Sequence, residues 1–258
     1  MSFQVDTALV NTYRSNIEIQ FQQKGSRLRP YVRQESQNAE FDFYDRIGST
    51  EAVENTGRHQ DTPLVSRPHD RRRIALRDFD WADLVDKKDK LRMLADPTSS
   101  YTTNAVYALG RKMDRIIIEA AFGSAWTGKT GATEVTYPAT STTVAVDYVE
   151  AGAAANSNLT IGKLRRARFL LDSAEAAEEG ELLYAAVTAS QVQSLLRSTE
   201  VTSADYNTVK ALVAGEIDTF MGFKFIHTEL LTVAANIRTC LFWAKTGLCL
   251  ATAQEVMV

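Results

Sequence analysis

With 258 residues, 45% of them hydrophobic, and 29 Lys+Arg against 32 Asp+Glu for a formal net charge of −3, the chain is long enough for one or two domains with a buried core. This balance excludes a disordered chain, a collagen, a mucin, and a protein that grips nucleic acid by bulk positive charge. No apolar run approaches the roughly 18 residues a bilayer span needs, and residues 1–6 lack the basic-then-apolar pattern of a signal peptide. Cys240 and Cys249 lie on strand-like sequence and fit a reducing compartment better than a disulfide framework. His59, His69 and His227 are isolated and the cysteines lack ligand spacing, so neither a metal site nor a cofactor is expected.

No repeat at solenoid periods is present. Residues 1–50 are polar and rich in Gln and Asn, with apolar positions at Val10, Tyr13, Ile17, Ile19 and Phe21. An amphipathic helix fits 7–24, whereas 25–50 shows no clear period. Such a segment buries itself poorly and is expected to lie against another surface or subunit. Residues 51–68 read as an exposed loop. From 67 to 92, nine basic and six acidic residues charge 15 of 26 positions. Within that stretch Arg73–Trp81 tends to alternate, with Ile74, Leu76, Phe79 and Trp81 apolar, which predicts a strand with one packed face.

Asp96-Pro97 reads as a helix start, cap then first-turn proline. The apolar stripe Ala105, Val106, Leu109, Met113, Ile116, Ile117, Ala120 and Ala121 follows, and Gly123 closes it. A helix over 97–122 is far longer than the usual 11–12 residues or so and must serve as a spine. Residues 124–149 read as loop and hairpin. Thr160 caps a second helix with Leu164, Ala167, Leu170, Leu171 and Ala174 inward, ending at Glu178-Glu179-Gly180-Glu181. Beyond it the pattern predicts a buried strand over 182–187, a short helix over 190–197, and a third helix around 206–214. Strand-like pieces follow on either side of Gly222, and one or two strands over 238–251, turning at Thr246-Gly247. The class is α+β, without regular βαβ alternation.

Gly123-Ser124-Ala125-Trp126-Thr127-Gly128-Lys129-Thr130 matches G-x-x-x-x-G-K-S/T, the phosphate-cradling P-loop, and Asp147 lies downstream as a magnesium candidate. A working P-loop leaves a buried strand and enters a helix, so that the helix N-terminus faces the phosphates. Here the segment follows a long helix and precedes strand-prone sequence containing Pro138. It would sit at a helix C-terminus, whose dipole repels phosphate, so a linker is the better reading.

Arg71-Arg72-Arg73 could touch nucleic acid, yet aspartates on both sides keep net local charge small, which favours pairing with acids on a neighbouring subunit. Arg111, Lys112 and Arg115 form a basic strip on the long helix, diluted by Asp114 and Glu119. No histidine has a Ser or Cys in a recognisable nucleophile setting, so no catalytic residue is assigned. Trp81, Trp126 and Trp243 read as core or interface anchors.

Between about 62 and 253 the chain resembles the major capsid proteins of tailed bacteriophages with the Hong Kong 97-type fold. The resemblance is carried by four segments in order: residues 71–86; Asp96-Pro97 with 108–117 and 120–125, running into Thr127-Gly128; Leu159-Thr160-Ile161 with Leu164; and 206–215 followed by 220–226. It implies a Hong Kong 97-like α+β capsid fold: an N-terminal arm over 1–50, an extended loop over 51–80, and a peripheral domain over 81–159 with a spine helix near 97–122. An axial domain over 160–235 and return strands over 236–258 would complete it. Family members usually continue past the equivalent of 251–258.

The implied function is self-assembly into hexamers and pentamers of an icosahedral head enclosing double-stranded DNA, in a virion assembled in the host cytoplasm. No enzymatic activity or membrane association is implied. Partners would be the chain itself, packaged DNA without sequence specificity, and portal, scaffolding and decoration proteins. Arg71, Arg72, Arg73, Arg77 and Trp81 would make intersubunit contacts, and Arg111, Lys112 and Arg115 would face the DNA. An encapsulin-like compartment shell is the alternative on the same fold, and a P-loop nucleotidase is the remote one.

Overall fold

A 25-residue helix, α1 (Thr98–Phe122), runs about 38 Å at the standard rise and is the longest element of the computed structural model. The structure describes residues 22–54, 57, 61–62, 64–82, 98–177, 180–197 and 219–253. Residues 7–21 of the helix expected over 7–24, the helix expected around 206–214, the Asp96-Pro97 start and His59 lie outside the described residues. Of the described residues, 22–26, 78–82 and 98–114 fall in one unit, and 27–77 with 115–253 fall in a second; α1 is continuous from one into the other.

In the first unit, residues 22–26 are clasped to α1 by polar contacts. Residues 22–24 are not helical. Gln22 Nε2 donates to Asn104 Oδ1 at 2.9 Å, and Arg111 donates to Gln22 Oε1 and to the Gln23 carbonyl. Asp114, fully buried, accepts from Gln23 Nε2 and Ser26 Oγ. Two backbones meet at Gly110, where a Cβ would stand 2.6 Å from Gly25. A glycine is therefore required inside a helix, where it ordinarily costs stability.

The second unit is built on the four-stranded sheet β11-β6-β8-β7: β6 (Leu183–Val187), β7 (Thr219–Phe220), β8 (Phe223–His227) and β11 (Leu241–Ala244). β6 and β8 run parallel, and the outer pairs are antiparallel. Period-two alternation sends the strands' side chains to two cores. After a single helical turn, α2 (Ala139–Thr142), Leu164 and Ala167 of α3 (Ile161–Ser173) and Leu195 of α4 (Ala189–Leu196) meet Leu183, Ala185, Val187, Phe223, Phe225 and Ala244. On the opposite face Ala186, Ile226, Leu241 and Trp243 meet Ile117 and Ile118 of α1 together with Leu28 and Val32. The Trp243 indole N–H donates to the Tyr31 carbonyl at 3.0 Å, so its burial leaves no donor orphaned.

Of the two alternatives open for this segment, another surface or another subunit, Leu28 and Val32 take the first, on their own chain. Leu28 is 0% exposed and Val32 1% exposed within their own chain. β1 (Arg33–Ser36) then pairs in parallel with β12 (Cys249–Thr252). A short hairpin, β9 (Val233–Ala234) with β10 (Ile237–Arg238), precedes β11.

Local chemistry sets the boundaries. The Thr160 hydroxyl accepts from Lys163 N and caps α3 as expected. The helix stops at Ser173, before the expected glutamates. α4 opens with a capping box of Thr188 and Gln191. Met221 and Gly222 both have positive φ, at 54° and 79°, the conformation of the tight two-residue turn joining β7 to β8. Cys240 and Cys249 are both free, and burial pushes the Cys240 thiol up to about 11, against the pull of Arg238 and Lys163.

Candidate intersubunit surface

The second sheet, order β2-β3-β4-β5, carries three of the five expected intersubunit residues, Arg71, Arg72 and Arg73. β2 (Phe41–Ile47) and β3 (His69–Ala75) form a long antiparallel hairpin, with β4 (Ala125–Thr127) and β5 (Thr133–Val135) beside its root. Pairing starts where Leu76 N donates to the Glu40 carbonyl and ends where Gly48 N donates to the Pro68 carbonyl. Two expectations change here. The alternation read over Arg73–Trp81 is strand only as far as Ala75, and the stretch 25–50 supplies the partner strand. Residues 48–54, 57, 61–62 and 64–68 form the described part of the hairpin tip, all of them exposed.

One face of this sheet interleaves rings and cations. The register sets Phe41 opposite Ala75, Phe43 opposite Arg73, Asp45 opposite Arg71, and Trp126 opposite Arg73 from the other side. The Arg73 guanidinium lies 5.0 Å from the Phe41 ring centroid and 5.4 Å from that of Trp126. Arg71 lies 5.5 Å from the Phe43 ring and pairs with Asp45, Nε to Oδ1, at 2.5 Å. On the other face Arg46 pairs with Asp70. The hydrogen bond from Arg71 holds the Asp45 carboxyl below the ordinary aspartate range, and that from Arg46 does the same for Asp70. Cation–π contacts of this kind are worth roughly 0.5–1 kcal/mol at exposed sites, and exposed ion pairs little more. They fix register and shape more than they stabilise the fold.

The P-loop-like segment closes this root. β4 and β5 are joined by a turn in which Gly128 and Gly131 have φ of 90° and 65° and Gly131 N donates to the Gly128 carbonyl at 3.0 Å. A Cβ on Gly131 would stand 2.7 Å from Arg73 Cβ and 3.1 Å from Phe43 Cε1. The motif's letters therefore encode a hairpin turn seated on the arginine–aromatic ladder. The strand-to-helix geometry that lets a P-loop cradle phosphates is absent from it. An open groove alongside is lined by Asp45, His69, Asp70, Arg71, Gly128 and Lys129.

The remaining sequence candidates scatter. Arg72 is exposed opposite Tyr44 on the other face, and Arg77 reaches Glu119 at 3.8 Å. Trp81 is 39% exposed and Trp126 40%, whereas Trp243 is core. On α1, Arg111 is engaged with Gln22 and Gln23, Lys112 Nζ lies 4.8 Å from the Phe79 ring centroid, and Arg115 is exposed. Among the described residues no cluster of His, Cys, Asp and Glu could hold a metal ion, and no helix is long and apolar enough to cross a membrane.

Sequence reasoning missed Lys163. Its buried ammonium donates to the carbonyls of Val146 at 2.7 Å, Ser157 at 2.5 Å and Asn158 at 3.2 Å, pinning the loop before α3. Burial pushes its pKa below the ordinary lysine range against the opposing pull of Asp147.

A long spine helix, a hairpin projecting from a mixed body, and a sheet backed by two helices define a Hong Kong 97-like fold, and solved structures agree. The chain is similar to a structure titled for Mycobacterium phage Che8 (TM-score 0.64, 14% identity, covering 96% of this chain and 85% of that one). It is also similar to the capsid of Ralstonia phage GP4 (TM-score 0.64, 11% identity, 96% and 84%) and to that of cyanophage P-SCSP1u (TM-score 0.63, 16% identity, 90% and 73%). No curated protein sequence matches. Residues 5–258 match the family described as phage capsid protein, and the chain belongs to that family. It is a structural major capsid protein of a bacteriophage shell, located in the virion capsid.

Proposed function

We propose that the chain works by assembling, without catalysis, into hexamers and pentamers of an icosahedral head around double-stranded DNA, in the host cytoplasm. The single observation that supports this best is the family match over 5–258. The open hairpin sheet supplies the physical means: the exposed rings of Phe41, Phe43 and Trp126 with cations among them. Many moderate contacts of this kind, multiplied by closed symmetry, hold a shell although no single pair does.

In this reading Arg71, Arg72, Arg73, Arg77 and Trp81 contact neighbouring copies. Arg71 and Arg73 act there as parts of the ladder, and Arg72, exposed on the other face, meets a neighbour directly. Facing DNA, Arg115 is the freest of the basic strip, because Arg111 and Lys112 already hold residues 22–23 and Phe79. Contacts to the packaged duplex are to phosphates and carry no sequence information. Portal, scaffolding and decoration proteins complete the partners. Electron microscopy and sedimentation of the purified protein test the reading. Capsomers or shells are expected, and a protein that stays monomeric under every assembly condition overturns it.

A further inference from the structure

The register of β2 on β3 decides which backbone groups face the hairpin's open edges. Leu76 N donates to the Glu40 carbonyl and Gly48 N to the Pro68 carbonyl, so the even-numbered residues of β2 bond to β3. The N–H and C=O groups of Phe41, Phe43, Asp45 and Ile47 turn the other way, where β2 has no second neighbour among the described residues. That edge is seven residues long, and Phe41 is 44%, Phe43 36% and Ile47 63% exposed. Exposed apolar edges of this kind template pairing with other chains. On the other side β4 pairs with Arg73 and Arg72 and goes no further, because the chain turns at Gly128, whose φ is 90°. Arg71, two residues from Arg73, points its N–H to that same side, beside the groove lined by Gly128 and Lys129. Both edges carry the same local bond. Phe43 N donates to Asp42 Oδ1 at 2.7 Å, and Arg71 N donates to Asp70 Oδ1 at 2.8 Å.

We propose that Asp42 and Asp70 guard these two edges: each carboxylate occupies an outward N–H that an incoming strand would need, and so keeps the hairpin from adding a strand of a second chain indiscriminately. A new strand bonds such an N–H through a carbonyl. At Phe43 and Arg71 that carbonyl would meet a carboxylate, acceptor against acceptor, and would have to displace a charge-assisted bond. The displaced carboxylate would then lose water with no donor to replace it. Phe43 lies inside the row of four outward residues, so a strand laid along β2 is interrupted mid-course. Arg46 holds the Asp70 carboxylate in its ionised form, and the Arg71 amide adds to that hold. The guard is a property of the single chain and stands apart from which surfaces meet in a shell.

Hydrogen exchange and sedimentation of the full chain test this. Asp42→Ala should speed exchange of the Phe43 amide roughly fivefold, and Asp70→Ala that of the Arg71 amide, as the loss of one net hydrogen bond requires. Under conditions that keep the wild type unassembled, both variants should form β-rich, thioflavin-positive aggregate severalfold faster than wild type. Asp42→Asn and Asp70→Asn keep the Oδ1 acceptor without its charge, and their aggregation rates should fall between. Arg46→Gln removes the Asp70 ion pair but leaves the bond to Arg71 N, so it should aggregate at the wild-type rate. Unchanged exchange in the Ala variants overturns the proposal, as does faster exchange with no gain in aggregate. Arg46→Gln aggregating as fast as Asp70→Ala would assign the effect to the ion pair and overturn the guard at Asp70. A comparison within the wild type needs no variant and so survives a substitution that fails to fold. Corrected for intrinsic rates, the Phe43 amide should exchange more slowly than that of Asp45 on the same edge, and equal rates overturn the guard at Asp42. A chain that never builds shells defeats the assembly reading and leaves these readouts intact.

Discussion

The two four-stranded sheets end up in opposite environments. In β11-β6-β8-β7 each face is covered: α3 and α4 lie on one, and the end of α1 with Leu28 and Val32 on the other. Its strands read as apolar runs, Leu183–Val187 and Phe223–His227, as sheets buried on both faces do. In β2-β3-β4-β5 the aromatic residues alternate with charges and stay 36–44% exposed at Phe41, Phe43 and Trp126. The first sheet gives the chain a fold of its own. Few described residues lie on the second, and in the proposed reading it carries the contact surface. That reading assigns stability and assembly to different sheets, and substitutions can separate them.

The largest separation should come from matched phenylalanines. Phe223 is 0% exposed in the first core, and Phe223→Ala should cost about 3–5 kcal/mol of folding stability, transfer plus cavity. Phe43, on the open sheet, is 36% exposed and rests against a guanidinium. Phe43→Ala should cost about 1 kcal/mol or less while impairing assembly. Urea denaturation of the two variants gives both numbers, and equal losses would erase the contrast between the sheets.

A smaller effect is expected at the root turn. Gly131→Ala forces a side chain onto a φ of 65° and into Arg73 at 2.7 Å, for a cost of about 1–3 kcal/mol. Gly152→Ala makes the control, since φ there is 107° but nothing lies within 4 Å of the added carbon. Thermal denaturation should find Gly131→Ala the less stable of the two, with Trp126 fluorescence altered only in it. If the two variants matched, the turn would not be seated on the ladder.

What the sequence shows and hides follows the same division. The length of α1, the Thr160 cap, the buried strand at 183–187 and the Gly222 turn are written locally, in apolar period, capping side chains and a residue tolerant of positive φ. The hairpin's first strand was not legible. Phe41 and Phe43 alternate with Asp42 and Tyr44, but the pattern marks no buried face, and its partner lies 22 to 34 residues away in register. For the same reason the alternation past Ala75 misleads: β3 ends where β2 stops supplying hydrogen bonds, whatever the side chains prefer. Leu28 and Val32 sit in a polar stretch and are buried only because a distant sheet and α1 present a surface to them. Lys163 hides most completely. A lysine in the first turn of a helix reads as solvated, and its burial is decided by three loop carbonyls that no local pattern announces. The charge of the cluster 71–73 was legible, but its division into an Asp45 pair, an exposed residue and a ring-stacked one required the register.

The smallest effect lies at the edge of the closed sheet and depends on pH. Glu229 accepts from Ala189 N at 2.8 Å, at the start of α4, and from Arg238 at 2.7 Å. Burial pushes its pKa up, but the Ala189 and Arg238 hydrogen bonds outweigh it and hold the carboxyl below the ordinary glutamate range. A depressed carboxylate pKa stabilises the fold above the unfolded value, and that contribution is lost as the pH falls through the folded one. The side chain is 54% exposed, so solvent screens most of the gain. Glu229→Gln should therefore cost about 0.5–1 kcal/mol at pH 7, and the gap to wild type should close progressively below about pH 5. Denaturation midpoints at pH 7 and pH 4 measure it. A gap that widened on acidification would mean that the carboxylate is a burden to the closed sheet, and that the division of labour between the two sheets does not extend to its polar edge.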